Sequence, residues 1–309
     1  MQPKFKLSTV QLGNYTILQL RHTKHDISFS IIPELGSCLN TFTINGQEIL
    51  VAATTLKEIE DLTIDAFAGA QLFPYPNRIK DGKYKVGCET YQLPKNDTTY
   101  DNSLHGLTYN KPFQVINIDE NKGNINLKYE YNCDDAGYPF HVIIENSFQL
   151  SENSLSITTT LENKSLKTIP IGHGWHPYFK MDKGVDNVYL QIPTTELYSL
   201  DQHMIPTGKT KYYDLFSKSS KIASTKFDHC FKIKNNSVFT AQLINPEKNL
   251  TISLLTEGYP YLQVYIPPQR DSIALEPQTS IPDAFNNKIG AIDLKSNQKV
   301  NFKFKIVVG

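Results

Sequence analysis

Apolar and polar residues alternate with a period of two along much of this chain, and no other feature constrains its fold as strongly. The pattern is clearest in residues 300–306, where Val, Phe, Phe and Ile alternate with Asn and two Lys. Residues 155–161 and 27–31 alternate in the same way, and Ser28 and Ser30 would occupy the face opposite the apolar side chains. Because successive side chains of a strand point to opposite faces, these segments are predicted to be strands with one buried face.

Turn-forming residues separate the predicted strands at short intervals. Asn45-Gly46 is a strong signal for a two-residue hairpin. The best helix candidate, residues 55–61, spans only about two turns, and no long segment has the 3.6-residue period of a helix. Many short strands with turns between them are typical of a β-sandwich or barrel, which can form one domain at this length. We therefore predict a single all-β domain over residues 1–309.

The charge and composition of the chain argue against several classes of partner. Lysine plus arginine and aspartate plus glutamate both number 31, so the formal net charge is zero and no overall field attracts nucleic acid or an anionic membrane. We find no apolar signal core at the N-terminus and no apolar run of the ~18 residues that a membrane span needs. The four cysteines form no CxxC pair, which favours free thiols. We expect a cytoplasmic protein, a monomer or weak homodimer, with a neutral small-molecule partner.

Four stretches depart from the strand pattern and combine glycine or proline with residues that bind ligands or transfer protons. The densest, residues 170–179, contains two histidines and the only tryptophan. The other three are residues 73–79, 102–106 and 274–279. Functional residues concentrate on such loops and strand ends, so we predict a site there. Its candidate side chains are Arg78, His105, His173, His176 and Glu276, with Asp228 as a further carboxylate.

Two kinds of chemistry are open to these side chains. His173 and His176 are three residues apart, so on an extended strand they point to opposite faces, and we predict no metal site. Acid–base catalysis needs one histidine and one carboxylate, because an imidazole can protonate an oxygen while a carboxylate takes a proton from a hydroxyl. Seventeen tyrosines and sixteen phenylalanines suit a sugar ligand, although aromatic side chains more often fill a core.

Several residues have simpler structural explanations. We assign structural roles to His22, His25, His141 and His203, and spacing alone makes Asp228 a turn residue. The chain has no GxSxG elbow for a nucleophile and no GxGxxG or Walker loop for a phosphate. Spacing alone leaves His176 and Glu276 equally open to a structural or a functional role.

Taken in order, the four stretches resemble the aldose 1-epimerase (galactose mutarotase) family. The matching segments are Phe73–Ile79 with Gly82 and Tyr84, Leu104–Gly106, His176–Phe179, and Glu276–Thr279 with Pro282–Asn286. The resemblance covers nearly the whole chain. It implies a large, twisted antiparallel β-sandwich with an open cleft, no cofactor, and interconversion of the α- and β-anomers of a free hexose such as glucose or galactose.

The resemblance also implies a role for each matching residue. Glu276 would be the general base that takes the proton of the anomeric hydroxyl, and His176 the general acid that protonates the ring oxygen. Trp175 would brace the cleft, and His173, on the other side of an extended backbone, would pack behind it. The residues that would bind the sugar are Asn77, Arg78, His105, Asp228 and Gln278.

The chain departs from the family pattern around two of these segments. Many mutarotases have Asn-His-x-Tyr-Phe-Asn-Leu where this chain has Trp-His-Pro-Tyr-Phe-Lys-Met at 175–181, and residues 107–113 replace a usual glycine and Gly-Phe-Asp-Lys segment. The preferred sugar is therefore open. A hexose-phosphate epimerase of the same fold and a non-catalytic carbohydrate-binding protein are the alternatives. Only three arginines are present to recognise a phosphate: Arg21, Arg78 and Arg270.

Overall fold

The protein is described by a computed structural model over residues 3–194, 196–234 and 238–309. Its first strands are β1 (Phe5–Leu12), β2 (Tyr15–His22), β3 (Ile27–Ile32), β4 (Cys38–Ile44) and β5 (Gln47–Glu48). Five short strands follow: β6 (Gln71–Leu72), β7 (Arg78–Ile79), β8 (Lys83–Val86), β9 (Glu89–Gln92) and β10 (Ser103–Leu104). Longer strands come next: β11 (Gln114–Asp119), β12 (Asn124–Asn132), β13 (His141–Ser151) and β14 (Ser154–Asn163).

The second half of the chain continues the same pattern. Its first eight strands are β15 (Ile169–Ile171), β16 (Gly174–Trp175), β17 (Tyr178–Lys180), β18 (Tyr189–Gln191), β19 (Glu196–Leu200), β20 (Pro206–Tyr212), β21 (Ser220–Lys221) and β22 (Asp228–Lys232). The last six are β23 (Val238–Asn245), β24 (Leu250–Glu257), β25 (Tyr261–Tyr265), β26 (Ser272–Gln278), β27 (Ile292–Leu294) and β28 (Lys299–Val308). Helical segments are short: α1 (Leu56–Glu58), a π-helical turn (Ile59–Asp65), 3-10 turns at Lys80–Gly82 and Pro246–Lys248, and α2 (Ala284–Asn287).

These strands form three main antiparallel sheets. The first has the order β1-β2-β3-β4-β5, and the largest has nine strands in the order β11-β12-β13-β14-β28-β24-β23-β18-β21. The third has the order β20-β19-β22-β25-β26-β16-β6, with β17 also paired to β26. The all-β sandwich expected from the sequence is confirmed. Among the described residues, no helix combines the length and the apolar character needed to cross a membrane.

Two local predictions are confirmed. Asn45-Gly46 joins β4 to β5 as a two-residue hairpin, with Ile44 opposite Gln47 and positive φ at both loop residues. The helix predicted at 55–61 begins at a Thr55 capping box, in which the Thr55 side chain accepts from the Glu58 N–H, and it continues as the π-helical turn to Asp65.

The prediction of one buried face for residues 27–31 is wrong, because all of β3 is buried, including Ser28 and Ser30. On the serine face, Ile32 packs in a small cluster with Ala53 and Ile59, so the segment around α1 covers this side of the sheet. The Ser30 hydroxyl is hydrogen-bonded to Thr41 Oγ1 at 2.8 Å, which satisfies it in the interior.

Aromatic side chains join the three sheets into one core. Phe148 of the nine-stranded sheet lies 5.9 Å, between ring centroids, from both Phe29 of the first sheet and Trp175 of the third. Phe304 of β28 also packs against Trp175, with 5.8 Å between ring centroids. The third sheet is therefore held rigidly from behind, and its outer face carries the candidate site.

Candidate active site

His176 follows β16, a short strand inserted between β6 and β26. Its backbone N–H donates to Ala70 O and its carbonyl accepts from the Gly69 N–H, so its position is fixed on both sides. Gly174 suits this crowded position, because a Cβ there would lie 3.1 Å from both Pro277 O and Pro76 Cβ, closer than most such contacts. The glycine in this motif thus lets β16 enter a crowded sheet, and the strand ends at the histidine.

Glu276 lies on β26, every residue of which is buried. Its Oε1 is 3.4 Å from His176 Nε2, and both side chains are at most 5% exposed. Its Oε2 accepts a hydrogen bond of 2.9 Å from Gln278 Nε2. One carboxylate oxygen is therefore held by an amide, while the other faces the imidazole.

His105 completes a cluster whose ligating atoms lie within 4.8 Å of one another: His105, His176 and Glu276. Its ring meets the His176 ring edge-on, with 5.2 Å between centroids. The His105 Nδ1 accepts from the backbone N–H of Asn77 at 3.2 Å, and Asn77 O accepts from the His105 N–H. Since Nδ1 is an acceptor, the proton of the neutral ring is on Nε2.

Arg78 reaches the site because β7 pairs with β10, which places Arg78 opposite Leu104, next to His105. Its Nε donates to Asp97 Oδ2 at 2.7 Å, and its guanidinium lies over the Tyr100 ring at 5.2 Å. These partners hold one side of the guanidinium.

Asn77 contributes to the same loop through its side-chain carbonyl. Its Oδ1 accepts from Arg78 N and Nη1 at 3.0 and 3.3 Å. Asn77 was predicted to bind the sugar; in the structure this oxygen positions Arg78.

Asp228 begins β22 and is largely buried. Its Oδ1 accepts a 2.7 Å hydrogen bond from Gln263 Nε2, and Gln263 is directly opposite Glu276 in the β25–β26 pair. Asp228 therefore belongs to the same polar surface as Glu276, although its sequence context alone indicated a turn residue. Gln263 was missed by sequence reasoning; the available signal was one amide within the apolar strand Tyr261–Tyr265.

Burial disfavours charge on each group of the central pair. It raises the pKa of the Glu276 carboxyl well above its usual range, and the negative charge of Asp228 adds to this effect. The Gln278 hydrogen bond and Arg78 act in the opposite direction. Burial also lowers the pKa of His176 to about 3. The pair thus favours one shared proton, located on Glu276, with a neutral His176.

His173 points away from His176, as the sequence predicted, and Trp175 also points away from it. The ring nitrogens of His173 contact Gln71 Nε2 at 2.9 Å and Tyr259 Oη at 3.1 Å, and its ring stacks on Phe302. Trp175 lies in the core rather than at the cleft. Both side chains are part of the structure behind the site.

The clustered imidazoles raise the question of a metal ion. The pair His173 and His176 cannot chelate one, since His173 faces the core. In the remaining cluster, a metal on His105 Nε2 would require the proton on Nδ1, where it would oppose the Asn77 N–H. The donor set in this cluster therefore fits acid–base chemistry better than metal binding.

The structure thus combines a β-sandwich with a buried His–Glu pair and an adjacent arginine held by a carboxylate. The family model described as "Aldose 1-epimerase" matches residues 18–307, and the chain belongs to that family.

Two relatives from Escherichia coli K12 show how the chain is placed within the family. An uncharacterized protein, YihR, is 30% identical over 282 residues, which cover 89% of this chain and 88% of YihR. A protein named aldose 1-epimerase is 26% identical over 227 residues, which cover 65% of this chain and 63% of that protein.

Solved structures share the fold over the whole length. A galactose mutarotase-like protein from Clostridium acetobutylicum has a TM-score of 0.87 at 22% identity, with 99% of this chain and 98% of that chain covered. A galactose 1-epimerase from Lactobacillus acidophilus has a TM-score of 0.80 at 17% identity, with 100% and 99% covered. At these identities the likeness establishes the fold.

Proposed function

We propose that this protein is an aldose 1-epimerase that interconverts the α- and β-anomers of a free hexose such as glucose or galactose, without a cofactor. The observation that supports this most strongly is the buried contact of 3.4 Å between His176 Nε2 and Glu276 Oε1. A matched acid and base in one enclosed position is what ring opening of a sugar requires, and binding alone does not need it.

The proposed reaction begins with Glu276 as carboxylate and His176 as imidazolium. Glu276 takes the proton from the anomeric hydroxyl, the C1–O5 bond breaks, and O5 receives its proton from His176. The products are the free aldehyde, a protonated Glu276 and a neutral His176. Rotation about C1–C2 and the reverse proton transfers close the ring to the other anomer. The pair keeps the same total number of protons throughout.

The protonation states explain why a buried pair suits this reaction. The neutral pair, which burial favours, is the state that accompanies the open-chain sugar. The ionised pair differs from it only by a proton moved between two atoms 3.4 Å apart. Because the two states bind the same number of protons, the enzyme would follow ring opening and closure without exchanging a proton with solvent.

The surrounding groups are proposed to hold the sugar hydroxyls. The His105 Nε2–H donates towards the cluster, and the free side of the Arg78 guanidinium supplies further donors. Asp228 supplies an acceptor, and Gln278 orients Glu276 rather than contacting the sugar. These assignments follow from the hydrogen bonds that leave each group one unoccupied polar atom or face.

A phosphorylated substrate has less support. Each of the three arginines already has a carboxylate partner: Arg21 with Asp26, Arg78 with Asp97, and Arg270 with Asp186. No arginine is thus left as a dedicated bidentate phosphate ligand. A comparison of glucose with glucose 6-phosphate tests this preference.

Anomer exchange measured by polarimetry or exchange NMR on α-glucose and α-galactose tests the proposal. We expect the parent protein to accelerate exchange and Glu276→Gln to lose about 10²–10⁴-fold of that rate, the usual contribution of a general base. Glu130→Gln is a matched control, because Glu130 also contacts a histidine, His141, at 2.7 Å but outside the site. Equal rates for Glu276→Gln and the parent would refute the mechanism, and sugar binding without acceleration would favour a carbohydrate-binding protein.

A further inference from the structure

A groove of about 720 Å³ opens beside the candidate active site. It lies between the segment around α1 and strand β17, and its apolar surface includes Val51, Leu62, Ala68, Tyr178 and Tyr265. We call it the side groove. Its volume lies within the range of ~300–1,000 Å³ typical of small-molecule sites, and none of the roles assigned above uses it.

The side groove adjoins the catalytic pair through Tyr178. The Tyr178 ring, part of its wall, stacks on the His176 ring with 4.7 Å between centroids and 15° between planes. Tyr178 pairs with Ala274 and Lys180 with Ser272, so the groove follows β26 away from Glu276. Two residues of a strand span about 7 Å, and the groove thus begins about one sugar ring from the base.

The lining of the side groove combines aromatic rings with polar groups at its edge. Tyr178 and Tyr265 are packed with 6.3 Å between their ring centroids. Gln269, Asp271 and Ser272 supply donors and acceptors further along. Apolar rings with a few polar side chains beside them match a pyranose, which has an apolar face and hydroxyls around its rim.

The charge of the lining favours a neutral occupant. Among the described residues that form it, Glu48, Glu58, Asp182 and Asp271 are carboxylates and Lys180 is the one basic residue. An anionic group would meet more negative than positive charge there. A phosphate on the sugar is therefore disfavoured on this side of the site.

The expected orientation of the hexose determines which of its atoms enters the side groove. In the proposed function, on which this inference rests, the anomeric hydroxyl is at Glu276 and O5 at His176. In a pyranose the atom beyond O5 is C5, which carries C6 and its hydroxyl. Because the groove begins at the ring that stacks on His176, O6 is the hydroxyl closest to it.

We propose that the side groove binds the second glycosyl unit of a reducing disaccharide that is linked through O6 of the hexose in the active site. The enzyme would then act on the reducing end of 6-linked sugars as well as on free hexoses. Tyr178 and Tyr265 would pack against the second ring. Its hydroxyls would bond to the polar edge.

Isomaltose and maltose are a matched pair for the test, since each joins two glucose units by an α-linkage and they differ in the linked oxygen. We measure kcat and KM for anomer exchange by NMR on glucose, isomaltose and maltose. The expected KM for isomaltose is roughly tenfold below that for maltose. Ala52→Trp, which fills the side groove, should raise the isomaltose KM about tenfold and leave glucose exchange within twofold of the parent.

The exposed Ala136→Trp is the control for the added side chain. Retained glucose exchange in Ala52→Trp reports that the variant is folded. Two results would overturn the side-groove proposal alone, provided that glucose exchange is accelerated. One is an equal KM for isomaltose and maltose, and the other is an isomaltose KM that Ala52→Trp leaves unchanged. Absence of acceleration for all three sugars would overturn the proposed function and this inference with it.

Discussion

His173 lies in the core directly behind the site, and its replacement gives a quantitative test of how that core is held. Its Nε2 accepts from Gln71 Nε2, so the neutral ring carries its proton on Nδ1, towards Tyr259 Oη. A second proton would place two donors against each other at Gln71. Burial acts in the same direction and lowers the pKa of His173 from 6.5 to about 3.

This difference makes stability depend on pH in a predictable direction. Below pH 6.5 the unfolded chain binds a proton at His173 and the folded protein does not, so stability falls as the pH falls towards the folded pKa. Between pH 7 and pH 5 the loss in the free energy of unfolding is about 2 kcal/mol, because each pH unit below the unfolded pKa costs about 1.36 kcal/mol. In this interval the loss is set by the unfolded pKa, since the folded ring stays neutral.

The variant His173→Gln removes the titrating ring and keeps an amide able to hydrogen-bond to Gln71. Urea unfolding at pH 7 and pH 5 should show that the parent loses about 2 kcal/mol more over this interval than the variant. Any fixed cost of the substitution cancels, because only the difference between the two pH values is compared. The exposed His203→Gln should lose as much as the parent. An equal loss in His173→Gln and the parent would refute the reasoning.

Two further predictions concern the site itself. Gln278→Met removes the hydrogen bond that lowers the pKa of Glu276, so the pair should keep its shared proton to higher pH and the alkaline limb of the pH profile of kcat/KM should move up by about one unit. A limb that stays in place or moves to lower pH would show that Gln278 does not tune the base. Exhaustive chelation should leave anomer exchange unchanged, because the Asn77 N–H orients His105 for proton donation. A loss of activity that Zn²⁺ restores would contradict this.

Period-two alternation predicted the strands because the alternation of apolar and polar residues lies within each strand and needs no knowledge of its neighbours. Residues 300–306 are a clear case: β28 contains them, and Phe302, Phe304 and Ile306 are buried. The prediction failed at β3, where Ser28 and Ser30 resemble a solvent face. What covers them is the segment around α1, which is brought there by the fold and not by neighbours in sequence. Local alternation shows which residues of a strand are polar, but it cannot show whether a distant segment packs over them.

In the candidate site too, some residues could be predicted from their local sequence, and others depend on contacts that are distant in sequence. The motifs around His105, His176 and Glu276 each contain a titratable side chain beside glycine or proline, and the structure brings all three together. Gln278 lies two residues from Glu276 on the same strand, so the sequence places both side chains on one face. Gln263 is a single amide in a buried strand, and nothing near it in sequence distinguishes an amide that orients a carboxylate from one that fills a core. Its role depends on cross-strand register, which pairs Gln263 with Glu276, thirteen positions later.

The geometry of the catalytic pair is set largely by the core behind it. Gln71, which contacts His173, is next to Ala70, whose carbonyl accepts from the His176 N–H. On the other strand, Thr279 exchanges hydrogen bonds with the His173 backbone, and Gln278, the residue before it, orients Glu276. His173 thus contacts the neighbours of both catalytic residues, Gln71 through its side chain and Thr279 through its backbone. Because such interiors are close-packed and resist small displacements, the separation of 3.4 Å is imposed by the fold before any sugar binds.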